Sequence, residues 1–530
     1  MRFLSVSLDS FLIECHDLLE TTRFFQHLQR AQHPAILDMI PAEKTILIQF
    51  SVFKTSQQQL IAWLSKQHVQ DDVAVRGHTV VISVEYGGGD LNEVAERLGI
   101  TTQALIQRHT QHEWKVAFIG FAPGFGYLNC ESRPFGSVPR LDVPRKRIEA
   151  GSVALAGEYS GVYPKDSPGG WQLIGRTHTK MWDIERDPPA LFVPGHTVIF
   201  KEAKQGTLVS VPDVVKPSHE QSIALDKTTN ATLKILNVGM QTLIQDGGRM
   251  GQFSLGVGVG GALDQGAMRL ANECVGNIAN TAVLEILNGG FKAQVLAPTV
   301  VAVTGAIGEC MIEYADTKVA VVASGQAIAL DEGDKIQIKT PKMGLRNYLA
   351  IRGGVLVPSV LASRSFDTLA QLGPKPLCMG DEIVVGQMPK QAVSISTEVT
   401  KWLPKSEETV VLDLILGPRT DWFEAKSVTV LFDQLWQVTN EMNRVGLRLH
   451  GAVALERSKH MELPSEGTVT GALQIPPNGQ PVLFMNDHPL TGGYPVIATV
   501  ASYHLDLVAQ IPAGCWIKFN QISEFMDMNV

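Results

Sequence analysis

Residues 118–128 read FIGFAPGFGYL. Residues 116–119 are apolar and β-branched or aromatic, the mark of a short buried strand. Gly120, Pro123, Gly124 and Gly126 then interleave with Phe121, Phe125 and Tyr127. Glycine takes backbone angles that other residues resist and lets a ligand come close to the main chain. A strand running into such a loop offers free N–H groups between rigid aromatic walls, which suits a small anion or a planar ligand. The same residues also suit a tight corner of a β-barrel plugged by aromatic rings.

Outward from this loop the chain is a series of short apolar runs separated by turns. Its 530 residues include 48 Gly and 28 Pro, a balance that favours strands over a helical bundle. That length exceeds what one hydrophobic core supports, so several domains are expected. Hydrophobic residues at 45% and charged residues at 18% fit a globular enzyme. A net charge of −8 argues against a dedicated nucleic-acid binder, but not against a local phosphate site. Cys15, Cys130, Cys274, Cys310, Cys378 and Cys515 form no close pair, which is neither a zinc pattern nor a disulfide framework. Asp9, Glu14 and Asp17 fall where an export signal needs an apolar core. The most apolar run, residues 319–330, is short for a bilayer and holds Gln326. A cytoplasmic protein with no membrane span and no nucleic-acid partner is expected.

Residues 1–80 read as a small α/β unit. Leu18, Leu19, Phe24, Phe25 and Leu28 mark an amphipathic helix ending before Pro34. Residues 45–53 read as a strand, Ser56 as the N-cap of a helix carrying Leu60, Trp63 and Leu64, and residues 79–82 as a further strand. DLNEVAERLGITTQALIQRH, residues 90–109, reads as two helices: Asp90 and Glu93 form a capping-box start, Gly99 ends the first helix, and Thr101 or Thr102 starts the second. With only Arg108 and His109 as basic groups in the second, a packed hairpin is favoured over a DNA reader. Residues 114–201 are β-like, 204–232 a polar linker, and the chain from 233 is again β with one helix near 264–275. Gly169-Gly170-Trp171 is echoed by Gly492-Gly493-Tyr494, and VPGHTVIF from Val193 by IPAGCWIKF from Ile511. The echo predicts a barrel-like unit used more than once, with GDKIQI at Gly333 and GDEIVV at Gly380 hinting at a further copy.

Gly256, Gly258, Gly261 and a later Glu285 match the dinucleotide-binding spacing, but no buried strand precedes them and no βαβ alternation follows. There is no P-loop, no nucleophile elbow, no biotin-attachment lysine and no dedicated metal motif. Arg145 and Arg147, beside Gly151 and Ser152, suit two-point binding of carboxylate or phosphate, or a solvated basic turn. Gln245, Asp246 and Arg249 in IQDGGR, and Ser363 with Arg364 in ASRSFD, raise the same choice. In MNDHPLTGGYP, Asp487 beside His488 suits acid/base work or a surface pair. Asn443, Arg444 and Arg448 are anion-ligand candidates, with Glu466 a carboxylate partner.

FIGFAPGFGYL, PRKRIEAGSVALAG and YPKDSPGGWQLIGRT together resemble the allophanate hydrolase subunit 1 family over roughly residues 1–205. IQDGGRMG, ALDQGAMRLAN, YLAIRGGVLVP, SRSFD, MNRVGLRL, SEGTVTGALQIPPNGQPVLF and GGYPVIATV resemble the allophanate hydrolase subunit 2 family over roughly 233–525. The chain thus resembles a fusion of the B and C components of 5-oxoprolinase, related to the carboxyltransferase domain of urea carboxylase. The resemblance implies a mainly β fold with an α/β N-terminal domain and repeated cyclophilin-like β-barrel units. The expected divisions are 1–85 (α/β), 86–205 (cyclophilin-like), 206–232 (linker), and 233–400 and 401–530 (two cyclophilin-like parts).

It also implies ATP-dependent opening of the small molecule 5-oxoproline to L-glutamate, with phosphate from ATP activating the lactam oxygen. Mg²⁺ is expected with ATP, and as partner the A component of 5-oxoprolinase, a member of the LamB/YcsF family. For that chemistry Asp487, His488 and Glu466 are the expected catalytic residues. Gly124, Phe125, Gly126, Tyr127, Arg145, Arg147, Ser152, Gln172, Gln245, Asp246, Arg249, Arg364 and Arg444 are expected to hold substrate or phosphate. The families leave two alternatives: biotin-dependent carboxyl transfer to urea or a related amide, and regulation of a histidine kinase by binding. Absence of a biotin carboxylase and a biotin carrier from this chain favours the 5-oxoprolinase reading. Homo-oligomer formation is left open.

Overall fold

The computed structural model describes residues 1–67, 77–141, 143, 145–204, 231–387, 391–394 and 402–529, so the expected linker lies outside the described residues apart from its edges. The first unit is a five-stranded antiparallel sheet. Its order is Ile36–Pro41, Thr45–Phe50, Ser10–Glu14, Arg2–Ser7 and Asp527–Asn529. Helix Leu18–Ala31 buries Thr21, Phe24, Phe25 and Leu28, and Asp17 caps it by accepting from the Glu20 N–H. Helix Gln57–Leu64 begins with a capping box between Ser56 and Gln59. The fifth strand comes from the far end of the chain, with Leu4 opposite Asp527. No local pattern announces that pairing.

Next comes a closed seven-stranded barrel, ordered Tyr159–Val162, Gly126–Asn129, Glu113–Ile119, Thr197–Glu202, Thr79–Tyr86, Gln172–Arg176 and Ser152–Ala156. Strand Thr79–Tyr86 belongs to this barrel, so the division expected after residue 85 moves to before residue 79. The helices Leu91–Arg97 and Thr102–Gln111 form the expected hairpin, and Thr101 caps the second. Asp90 caps nothing. Its carboxylate instead accepts from Arg145 Nη2 and from the Leu173 N–H, each at 2.6 Å. A charged partner and a strand N–H outweigh a helix end that water can satisfy.

The middle unit is two open sheets rather than a closed barrel. Six strands run in the order Val319–Val322, Cys310–Glu313, Lys335–Ile338, Phe291–Val295, Ala231–Val238 and Glu382–Val384. Five more run Gln241–Gln245, Val283–Leu287, Met343–Ile351, Thr299–Ile307 and Ile328–Leu330. The GDKIQI and GDEIVV runs end in two strands of the same six-stranded sheet, not in a third barrel. Ile235, Leu284, Phe291, Val303 and Leu349 are among the residues of the core between the sheets. Helix Gln265–Cys274, capped by Asp264, packs on strands Thr299–Ile307 and Met343–Ile351.

The second closed barrel is ordered Thr409–Leu416, Val496–Val500, Ala472–Gln474, Val482–Phe484, Gly446–His450, Trp436–Val438 and Trp516–Ser523. Both barrels close the same way, by a parallel pairing of the first strand with the last: Thr79–Tyr86 with Thr197–Glu202, and Thr409–Leu416 with Trp516–Ser523. Each also carries a two-stranded flap, Arg145–Ile148 with Ser167–Gly169 and Glu466–Gly467 with Thr491–Gly492. The sequence echo is therefore an echo of structure: the matched glycine pairs follow or end the flaps, and the matched strands close the barrels. Among the described residues no helix is long and apolar enough to cross a membrane.

Candidate functional site between the barrels

The 120–126 loop is built on its own hydrogen bonds. Gly120 N–H donates to Phe125 O, Ala122 N–H to Gly120 O and Phe125 N–H to Ala122 O, at 3.1, 2.7 and 2.9 Å. Gly124 N–H donates to Leu255 O at 3.1 Å, and Phe121 N–H to Thr491 Oγ1 at 2.9 Å. The expected cradle of free donors is absent here because these N–H groups all have protein acceptors. What the loop supplies is its rings. Phe125 meets Phe121, Tyr163 and Trp171 at centroid distances of 5.4, 5.2 and 5.2 Å, each steeply tilted, the edge-to-face arrangement that ring quadrupoles favour. Gly161 makes the cluster close: a Cβ there would stand 2.9 Å from Trp171 and 3.1 Å from Phe125.

This aromatic cluster is one wall of a cleft of about 960 Å³ between the two barrels. Phe121, Phe125, Tyr127, Tyr163 and Trp171 line it from the first barrel, with Arg140 beside them. Arg457, His460, Gln474, Thr491 and Tyr494 face them from the second. Arg140 makes no ion pair among the described residues. Arg457 lies over the Tyr494 ring, 5.6 Å from its centroid, and donates from Nη2 to Ile475 O, leaving its buried Nε without a partner. Two cations thus face one aromatic-walled cleft, one from each half. Trp171 and Tyr494, the aromatics of the matched GGW and GGY motifs, both reach it.

Of the residues singled out from sequence, Phe125 and Tyr127 line this cleft. Gly124 and Gly126 stand behind them, against Trp182 and Phe192. Gln172 is buried and donates to Pro139 O at 3.0 Å. Arg145, Arg147 and Ser152 line a separate groove of about 450 Å³ with Gly87, Gly88 and Gly89. There Arg145 is paired to Asp90, and Arg147 to Asp166 at 2.6 Å.

Gln245, Asp246, Arg249 and Arg364 pin the 357–366 segment to the 245–249 turn. Gln245 donates to Phe366 O, and Asp246 accepts from Ser363 Oγ and the Arg364 N–H. Arg249 donates to Ser365 O and Arg364 Nε to Val357 O. The Gly256–Gly261 run is likewise structural. A Cβ on Gly256 would lie 2.8 Å from Ala122 O, and Gly261 O accepts from Arg444.

The expected acid/base residues are anchors. Asp487 takes Arg444 Nε and Nη2 at 2.9 and 3.0 Å and Thr368 N and Oγ1 at 2.8 and 2.7 Å, while Arg444 Nη1 reaches Glu285 at 2.5 Å. The pair is fully buried and ties the second barrel to the middle unit. Glu466 is held at two points by Arg419, which also binds Glu14 of the first sheet. Burial pushes the Glu466 carboxyl above its ordinary range, and Arg419 opposes the rise. His488 is buried, its ring stacked 5.4 Å from Phe484 and its Nδ1 near Pro489 O at 2.9 Å. Burial brings its pKa down to about 4, so it is neutral at pH 7. None of the three carboxyl or imidazole groups lines the cleft, although Phe484 and Pro489 do. Sequence reasoning missed Arg140, Arg457, His460 and Tyr494; only Tyr494 carried a signal, through the GGY echo.

Two family profiles match this chain: carboxyltransferase domain, subdomains C and D, over residues 1–192, and carboxyltransferase domain, subdomains A and B, over residues 255–521. The chain belongs to the carboxyltransferase domain family. Its C-terminal part is 36% identical over 294 residues to the C subunit of 5-oxoprolinase from Escherichia coli K12, spanning 55% of this chain and 91% of that one. Its N-terminal part is 33% identical over 189 residues to the B subunit of 5-oxoprolinase from Bacillus subtilis, spanning 33% and 78%. One polypeptide thus joins a half similar to one 5-oxoprolinase component to a half similar to another. The crystal structure of TTHA0988 superposes with a TM-score of 0.81 at 30% identity, over 96% of this chain and 99% of that one. Kluyveromyces lactis urea carboxylase matches with a TM-score of 0.51 at 26% identity, over 57% and 28%.

Proposed function

We propose that the chain is the fused B–C component of a cytoplasmic, ATP-dependent 5-oxoprolinase, which opens 5-oxoproline to L-glutamate with a separate A component of the LamB/YcsF family. The observation that carries this reading is the cleft shared by the halves, with Arg140 and Arg457 facing an aromatic wall. A guanidinium without a protein counter-ion is a natural seat for the substrate carboxylate. Phe121 would offer its ring as the surface for the flat lactam. At about 960 Å³ the cleft is near the top of the roughly 300–1,000 Å³ range of small-molecule sites, which leaves room for a second ligand beside a five-membered lactam.

In this reading ATP would share the cleft with the lactam, and Arg457 would be the cation for its phosphates. When bound it supplies the phosphoryl group that makes a resonance-stabilised lactam carbonyl electrophilic. Among the described residues no cluster of three or more His, Cys, Asp or Glu could hold a metal, so Mg²⁺ would be carried by the nucleotide phosphates. ADP release with 5-oxoproline, measured with and without the LamB/YcsF-family partner, tests the reading. Release stimulated by the lactam, with glutamate formed only when that partner is present, supports it. No release with the partner bound and both proteins folded would overturn it.

One observation favours a second reading: the likeness to urea carboxylase suits carboxyl transfer to urea or a related amide from a biotin carrier supplied in trans. Avidin-sensitive amide carboxylation with an added biotinylated carrier would favour that reaction instead.

A further inference from the structure

The two closed barrels can be laid on each other residue by residue through their backbone hydrogen bonds. Gly87 N–H donates to Ile174 O and Asp90 N–H to Leu173 O; Gly417 and Arg419 make the same bonds to Ile497 O and Val496 O. Gly151 joins Tyr163 O to the Thr177 N–H as Gly471 joins Phe484 O to the Val500 N–H. In the flaps Arg145 stands opposite Gly169, and Glu466 opposite Gly492. Asp90 is therefore the counterpart of Arg419, and Arg145 of Glu466. Each barrel ties loop to flap by one ion pair at this point, with the charges exchanged.

In the second barrel this corner is covered by the first sheet. A Cβ on Gly417 would stand 2.3 Å from Ser5 O and one on Gly467 2.7 Å from the Leu47 Cβ, and Arg419 holds the Glu14 carboxylate at 2.7 Å. Gly417, Arg419, Gly467 and Thr468 are all buried. In the first barrel the same corner is the open groove of about 450 Å³. Gly87 and Gly89 are exposed there, as are Lys146 and Arg147, the counterparts of Gly467 and Thr468. A Cβ on Gly87 or Gly89 would meet nothing within 4 Å. Gly87 is glycine for its backbone, φ 137°. Gly89 has no such backbone, so neither conformation nor crowding within the chain calls for a glycine. A bare backbone costs entropy, and what it permits is close approach by another molecule.

The covered corner also indicates what fits the open one. There the covering unit is a folded sheet, and it brings a carboxylate to the arginine of the ion pair. Here that arginine is Arg145, partly exposed and giving only its Nη2 to Asp90. Beside it Lys146 makes no ion pair among the described residues. We propose that this groove seats a second protein, which lays an extended, carboxylate-bearing segment over residues 87–89 and against Arg145 and Lys146. That this protein is the A component rests on the 5-oxoprolinase reading. No residue lines both this groove and the cleft, so a partner seated here leaves the cleft to small ligands.

The test is calorimetric titration of the LamB/YcsF-family partner into the full chain and its Gly89→Leu and Lys146→Glu variants. Leucine at 89 enters open groove and glutamate at 146 replaces an unpaired surface cation, so both thermal midpoints should hold. Partner affinity should fall about tenfold or more in each variant, and wild-type affinity should weaken as salt is raised. No binding, equal affinity in wild type and variants, or loss of inorganic phosphate binding with partner binding intact would overturn the seat. Partner binding weakened in both variants, with no 5-oxoproline-stimulated ADP release by the wild-type complex, would leave the seat standing and remove the 5-oxoprolinase reading. Glutamate formed at the wild-type rate by both variants, with the partner limiting, would do the reverse.

Discussion

Phe121 donates its backbone N–H to Thr491 Oγ1 at 2.9 Å, joining the first barrel to the second across 370 residues of sequence. Phe121 holds a left-handed backbone, φ 65°, which is unfavourable for a bulky residue and persists where its surroundings fix it. Gly120 beside it has no room for a side chain, since a Cβ would lie 2.4 Å from Thr491 Oγ1. The cleft wall is therefore set by a contact between halves. Thr491→Val, which removes the acceptor and keeps the shape, should destabilise the chain by about 1–3 kcal/mol and weaken ligand binding in the cleft. Denaturant midpoints and 5-oxoproline titration check this; an unchanged midpoint would mean that water replaces the hydroxyl.

Arg140 offers the cleanest separation of binding from folding. With no ion-pair partner to lose, Arg140→Gln should leave the thermal midpoint within a degree or two. Affinity for 5-oxoproline should drop about tenfold or more, as expected for a charge-assisted hydrogen bond. Equal affinity in wild type and variant would place the carboxylate elsewhere.

Arg444 should behave in the opposite way. Arg444→Met strands Asp487 and Glu285 as buried carboxylates, a change that costs about 3–5 kcal/mol. Replacing both partners, Arg444→Met with Asp487→Leu, should recover part of that loss by relieving one stranded charge. If Asp487→Asn instead left stability untouched and abolished turnover, Asp487 would be a reacting group after all.

The acid limb of stability should contain His488. Its pKa is near 4 when folded and about 6.5 when unfolded, so the unfolded state binds the extra proton between those values. The stabilisation is therefore complete above pH 6.5 and is lost as pH falls towards 4, up to about 3 kcal/mol. His488→Gln should flatten that loss. Midpoints of wild type and variant, compared at pH 7 and pH 4.5, should converge or cross; a constant difference would exclude the linkage.

What could be read from sequence was what neighbours in sequence decide. Asp17, Ser56, Thr101 and Asp264 cap their helices because a cap needs only residues a turn away. The GGW and GGY echo survived because each lies at the same point of a repeated barrel. Asp90 looked like another cap, and its carboxylate went to Arg145, 55 residues on. Asp487 beside His488 suited either acid/base work or a surface pair, but it is buried against Arg444 and against Thr368 from another unit. Arg140 and Arg457 carry no local mark, since only the facing of the two barrels makes them neighbours of one cleft.

The pairing of Asp527–Asn529 with Arg2–Leu4 bears on how two such halves are matched in number. The first half alone presents an open sheet edge at Arg2–Ser7, and the missing strand is encoded at the opposite end of the second. In a single polypeptide that strand is always present at one copy per edge, so no edge must wait for, or compete over, a strand from another molecule. Linking the halves thus acts as a stoichiometric guarantee, and it shields a sticky edge from mispairing.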